Sequence, residues 1–156
     1  MHRARRMRTD DIPAIVSLAQ GLEGWFDEHA RTIAIPIDIR HQTTFVATEE
    51  SELTGFVSLY VAEGRLNIGW IGVREDRHRC GIGTALLARA EQLARELGLD
   101  TLAVLTLGDS VDYEPYERTR NFYFKNGFRV SRRSQTDSPS CPELIELSKP
   151  VPREAP

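Results

Sequence analysis

The chain has 156 residues, 40% hydrophobic and 28% charged, which suits one domain with a buried core and excludes a disordered polymer. Its net charge of −3 offers no general attraction to nucleic acid or an anionic membrane, and no apolar run approaches the ~20 residues that span a bilayer. Two cysteines, Cys80 and Cys141, supply neither a disulfide framework nor a metal-ligand spacing, so a reducing, cytoplasmic setting and no metal are expected.

In chain order, residues 3–7 alternate weakly and suit a first edge strand. Thr9 reads as the N-cap of a helix with acids in its first turn, an apolar stripe of Ile12, Ile15, Val16 and Ala19, and Gly21 as its stop. A second helix is expected within residues 27–41, after Trp25 and Phe26. Pro36 is expected to disturb its later half, because proline lacks the N–H and crowds the preceding turn. Residues 44–48, 55–61 and 66–73 read as three strands joined by short turns, which predicts an antiparallel meander. Gly69 and Gly72 inside the third mark a bulge or a close backbone approach.

The third strand leads into His78-Arg79-Cys80-Gly81-Ile82-Gly83 and then a helix with Leu86, Ala90, Leu93 and Leu97 at helical spacing, stopped by Gly98. Glycines at 81 and 83 let the backbone turn and a ligand come close to it. The unpaired N–H groups of the helix start then favour a phosphate or pyrophosphate, although the same pattern also fits an ordinary strand-to-helix turn. Cys80 reads as a spectator whose backbone matters more than its thiol. Residues 101–107, apolar on both faces, predict a central strand parallel to 66–73 in a β-α-β unit.

A polar loop follows at 108–114, and Pro115 opens a helix through Arg118, Phe122 and Tyr123 to Asn126, with Gly127 as its stop. Residues 128–132 are expected to be extended, 134–140 a loop and 143–148 a final strand. One domain, residues 1–150, is expected, with 151–156 as a flexible tail.

Three pieces at their mutual spacing resemble the GNAT superfamily of acetyl-coenzyme-A-dependent N-acyltransferases. They are the strand ending Ile71-Gly72-Val73, the loop from Arg77 to Gly83 with Ala85-Leu86-Leu87 behind it, and Phe122-Tyr123-Phe124-Lys125-Asn126-Gly127-Phe128. The family's loop reads R/Q-x-x-G-x-G/A; this chain departs from it at the first position, His78, which Arg77 and Arg79 flank. The resemblance implies an α/β (α+β) fold, a mixed, mostly antiparallel central sheet of six to seven strands flanked by about four helices.

It also implies acetyl-CoA as donor, held through Ile71, Val73, His78, Arg79, Cys80, Gly81, Ile82, Gly83 and Thr84. The acceptor amine attacks the thioester directly, with the Val73 backbone N–H stabilising the oxyanion and Tyr123 as general acid toward the leaving thiolate. Where many relatives carry a strand glutamate as base, this chain has Asn67, an amide; Glu23, Asp27, Asp112 and Glu114 are the alternative carboxylates, or a water relay. An acidic run of Asp109, Asp112, Glu114 and Glu117 suits either a cationic amine or a solvated helix start, and Trp25 with Phe26 either walls the acceptor pocket or packs in the core. The expected partners are acetyl-CoA and an amine of a small molecule, peptide or protein, in a monomer or homodimer. A non-catalytic acyl-CoA sensor of the same fold is the alternative.

Overall fold

A computed structural model, which describes residues 3–110, 112–139 and 141–153, arranges seven strands among these residues in one sheet. The strands are β1 (Arg3–Arg6), β2 (Thr43–Glu49), β3 (Glu52–Ala62), β4 (Arg65–Val73), β5 (Thr101–Leu107), β6 (Arg129–Ser138) and β7 (Cys141–Pro150). The helices are α1 (Ile12–Gln20), α2 (Ile35–His41), α3 (Ile82–Glu96) and α4 (Glu114–Lys125). The sheet order is β1-β2-β3-β4-β5-β7-β6, antiparallel throughout except for β4 beside β5. The meander and the β-α-β crossover therefore form as their alternation predicts, and the mixed sheet with four helices is the expected architecture.

Alternation divides the core between the two faces of the sheet. Phe45, Val57, Leu59, Leu66, Ile68, Leu102, Val104, Ile145 and Leu147 meet Leu86, Leu87, Ala90 and Ala94 of α3 and Tyr123 of α4. Val46 and Phe56 turn the other way, onto Ile12, Ile15, Leu18 and Ala19 of α1 and Ile35 and Ile39 of α2. Each large apolar side chain buried this way contributes about 1.5–3 kcal/mol.

The feature that positions the site is an incomplete pairing. β4 and β5 bridge at only three positions, Leu66 to Leu102, Asn67 to Ala103 and Ile68 to Val104. Beyond them β4 continues to Val73 and β5 to Leu107 with no further pairing between the two. At the point of divergence Gly69 is an extra residue: Ser58 pairs with Trp70 while Leu59 pairs with Ile68. This bulge bends β4, and the buried Ser58 hydroxyl accepts the Trp70 N–H at 2.9 Å. A Cβ at Gly69 would overlap the Gln42 side chain, and one at Gly72 would lie 2.7 Å from the Phe56 ring, so both glycines serve close approach.

Several expectations are corrected. The first helix begins with a short 3-10 turn, Thr9–Asp11, in which Asp11 rather than Thr9 accepts a capping bond, from the Arg8 N–H at 2.7 Å; Leu18 joins its buried stripe. Pro36 does not break the second helix, because a π-helical segment, Ala30–Ala34, precedes it and Pro36 falls in the first turn of α2, where no N–H is needed. Leu97 is exposed at the end of α3, and Leu105 is 57% exposed, so β5 is covered on both faces only over its first half. Residues 134–138, expected as a loop, continue β6, a sheet-edge strand with both faces exposed and therefore no alternation to read. The expected tail from 151 lies partly outside the described residues; Val151 itself is buried, and its N–H donates to Asp100 at 2.8 Å.

Candidate active site

The site grows from the open end of the wedge between β4 and β5. The Arg74 N–H donates to the Thr54 carbonyl at 2.9 Å, so Arg74 and Gly72 turn their polar groups toward β3. By strand alternation the half-buried Ile71 and Val73 turn theirs the other way, to the unpaired side. A 3-10 turn at Glu75–Arg77 then carries the chain into the glycine loop. Gly81 sits at φ 85° as the cap of α3, a conformation glycine adopts without the steric cost of a Cβ. The Ala85 N–H is bonded to the Gly81 carbonyl at 3.0 Å. The N–H groups of Ile82, Gly83 and Thr84 precede it in the first turn, where helix geometry gives them no intrahelical acceptor. Ile82 buries its side chain in the core while Gly81 and Thr84 are exposed, so this turn can meet a ligand through its main chain.

Two side chains of the loop are engaged inside the protein. The His78 Nε2–H donates to the Val73 carbonyl at 2.8 Å, and its ring meets Trp25 edge-on with centroids 5.1 Å apart. Arg77 pairs with Glu49 at 3.0 Å. Arg79 and Cys80 are exposed; the Cys80 thiol approaches the His78 carbonyl at 3.7 Å.

Tyr123 is 1% exposed on α4, set between the rings of Phe122 and Phe128, in the same apolar cluster as Ile71, Val73 and Ile82. Burial pushes its phenol well above the ordinary tyrosine value, so the hydroxyl carries its proton at neutral pH. Ile71 and Val73 of β4, Ile82 at the start of α3 and Tyr123 of α4 thus share one apolar cluster on the α3 side of the sheet.

The segment between α1 and α2 crosses beside this end. Leu22 packs toward Gly72, Trp25 meets His78, and Phe26 meets Trp70 edge-on at 5.6 Å. The Tyr113 hydroxyl donates to the Gly24 carbonyl at 2.8 Å and ties the segment to the start of α4. A cleft of about 350 Å³ lies here, lined by Glu23, Trp25, Glu75, Glu114, Pro115 and Arg118 among others. Two of the candidate base carboxylates, Glu23 and Glu114, share this cleft, whereas Asp27 is spent capping a helix through the Ala30 N–H at 2.8 Å. Asn67 donates to the carbonyls of Tyr60, Ala62 and Arg65 and serves the β3–β4 turn. The acidic run is partly neutralised: Asp109 meets Arg133 at 3.5 Å and Glu114 meets Arg118 at 2.9 Å.

Two contributors were not read from the sequence. Arg120 is buried and donates to the carbonyls of Leu107 and Gly108 at 3.0 and 3.2 Å, holding the end of β5 on α4; a charge inside a helix gives no sign that it is buried. Glu75 enters the cleft only through the turn geometry after β4.

Residues 40–130 match the family model described as acetyltransferase (GNAT) domain. None of the curated proteins matches the chain in sequence. Among solved structures, a putative GNAT-family acetyltransferase from Desulfovibrio desulfuricans superposes with a TM-score of 0.82 at 22% identity, over 97% of this chain and 100% of that one. The IAA acetyltransferase of Bacillus cereus gives 0.74 at 21% identity, covering 97% and 100%. The PaiA N-acetyltransferase of Thermoplasma acidophilum, solved with coenzyme A, gives 0.72 at 17% identity, covering 96% and 99%. At these identities the structures speak for the fold, and the family model speaks for the lineage: this chain belongs to the GNAT acetyltransferases and is an acyltransferase.

Proposed function

We propose that the protein transfers an acetyl group from acetyl-CoA to a primary amine. The observation that carries this reading is the loss of pairing between β4 and β5 beyond Ile68 and Val104, which leaves the polar groups of Ile71 and Val73 without a strand partner beside the glycine loop. An extended pantetheine arm suits that gap, because it carries amides that can pair with a strand edge. The first-turn N–H groups of Ile82, Gly83 and Thr84 suit its pyrophosphate. Acetyl-CoA supplies an activated acyl group; the rest of the chemistry falls to this chain. The Val73 N–H is the donor for the oxyanion, fixed before reaction by its strand and so costing little reorganisation. Tyr123, protonated by virtue of its burial, gives its proton to the departing sulfur.

The acceptor enters from the side of the α1–α2 segment. Glu23, Glu75 and Glu114 around Trp25 favour a cationic amine there, of a small molecule or of a peptide or protein, and Glu23 or Glu114, which line this cleft, would take up its proton through water. Thiol release with acetyl-CoA across an amine panel, for wild type and Tyr123→Phe, tests the reading. Turnover that falls ~100-fold or more in the variant while acetyl-CoA binding is kept supports it. Binding without turnover on any amine would favour a sensor instead.

A further inference from the structure

We propose that His78 is a positioning residue, which holds Val73 in place and couples it to the wall of the acceptor cleft, rather than a ligand of the pyrophosphate. The inference rests on the acetyl-CoA reading above. A carbonyl can only accept, so the contact of Nε2 with the Val73 carbonyl at 2.8 Å places a proton on Nε2 and commits that nitrogen. The backbone N–H of His78 is also committed, to the Glu75 carbonyl at 3.3 Å. Little of this residue is left to serve a phosphate, unlike the first turn of α3.

The position of the contact gives it a consequence. Val73 is the last residue of β4, and its edge facing the wedge has no strand to hold it. β3 holds the other edge, where Gly55 pairs with Val73 and the Thr54 carbonyl accepts the Arg74 N–H, but the proposed oxyanion donor is the Val73 N–H on the open edge, and such a donor acts only if its direction is fixed beforehand. The His78 ring adds a second restraint, on the side where β5 has departed. Its other contact, edge-on to Trp25, joins the restraint to the α1–α2 segment, whose next residue, Phe26, packs on Trp70 of β4. One imidazole thus touches the strand that meets the thioester and the segment that meets the amine.

The test is isotope-edited infrared spectroscopy of acetyl-CoA labelled with carbon-13 at the thioester carbonyl, with calorimetric titration of acetyl-CoA and of coenzyme A. In the wild type the bound carbonyl band moves to lower wavenumber than in solution. In His78→Ala most of that displacement is lost while both affinities stay within about threefold of wild type. In His78→Gln, which keeps an N–H donor, the displacement is retained. A full displacement in His78→Ala overturns the proposal. So does a loss of about tenfold or more in both affinities with the displacement intact, the mark of a pyrophosphate ligand. If the alanine variant does not fold, a folded glutamine variant without the displacement overturns the proposal equally. A wild type that binds neither ligand overturns the acetyl-CoA reading itself and is thereby told apart.

Discussion

Gly83 of α3 lies so close to Phe122 of α4 that a Cβ there would sit 2.8 Å from the ring. The glycine loop is therefore tied to the helix that carries Tyr123 by direct packing, with no room for a methyl group. Gly83→Ala gains a few tenths of a kcal/mol from helix propensity but must displace a ring, at a cost of about 1–3 kcal/mol. We expect a net loss of about 1 kcal/mol in denaturant unfolding, largely relieved by adding Phe122→Leu. Additive losses in the double variant would contradict this packing.

Tyr123→Phe separates chemistry from structure. Its hydroxyl makes no hydrogen bond to the described residues, so the variant should unfold within about 0.5 kcal/mol of wild type and bind acetyl-CoA equally well. The loss belongs in turnover, about 100-fold or more, if the phenol protonates the thiolate. Equal kcat would place the acid elsewhere.

Gly81 and Gly98 make a matched pair. Both adopt positive φ, 85° and 72°, at opposite ends of α3. Alanine at either should cost about 1–2 kcal/mol of stability by the same left-handed strain. Only Gly81→Ala, in the loop, should also weaken acetyl-CoA by about tenfold in calorimetry. Equal effects of the two on binding would detach the loop from the ligand.

Glu146 predicts a pH dependence of stability. The Arg65 guanidinium, with bonds of 2.7 and 2.8 Å, holds its carboxyl below the usual range; Ser131 and Arg132 add to this, against the opposing effect of burial. A lowered folded value means the contribution is complete above the unfolded value of 4.5 and is lost as pH falls through the folded one. Glu146→Gln should therefore be less stable than wild type by about 2 kcal/mol at neutral pH, a gap that closes as urea unfolding is repeated below pH 4.5. A gap that persists in acid would show that charge is not its origin.

How much of this was legible in sequence depends on whether a residue's role is local. The meander, the β-α-β unit and the glycine loop announce themselves through alternation, helical spacing and the glycines at 81, 98 and 127. Gly69 and Gly72 betrayed an irregular strand, but not which was the bulge, because Gln42 and Phe56 crowd them from distant parts of the chain. β6 was shortened because a strand exposed on both faces has no apolar period. Sequence alone leaves open the half of the second helix after Pro36, because its missing N–H falls in a helix's first turn only once the π segment is known. At the site, Val73, Gly81 and Tyr123 are singled out by the resemblance to the GNAT family, whereas the His78–Val73 bond and the place of Arg120 arise from tertiary contact.

Everything proposed for the site requires that the wedge between β4 and β5, with the loop at its end, holds acetyl-CoA. Calorimetric titration of the protein with acetyl-CoA tests it most directly. We expect one molecule bound per chain, with a Kd well below about 1 mM that Gly81→Ala weakens. No binding heat with millimolar ligand at any temperature tried, for a folded wild type, would contradict it.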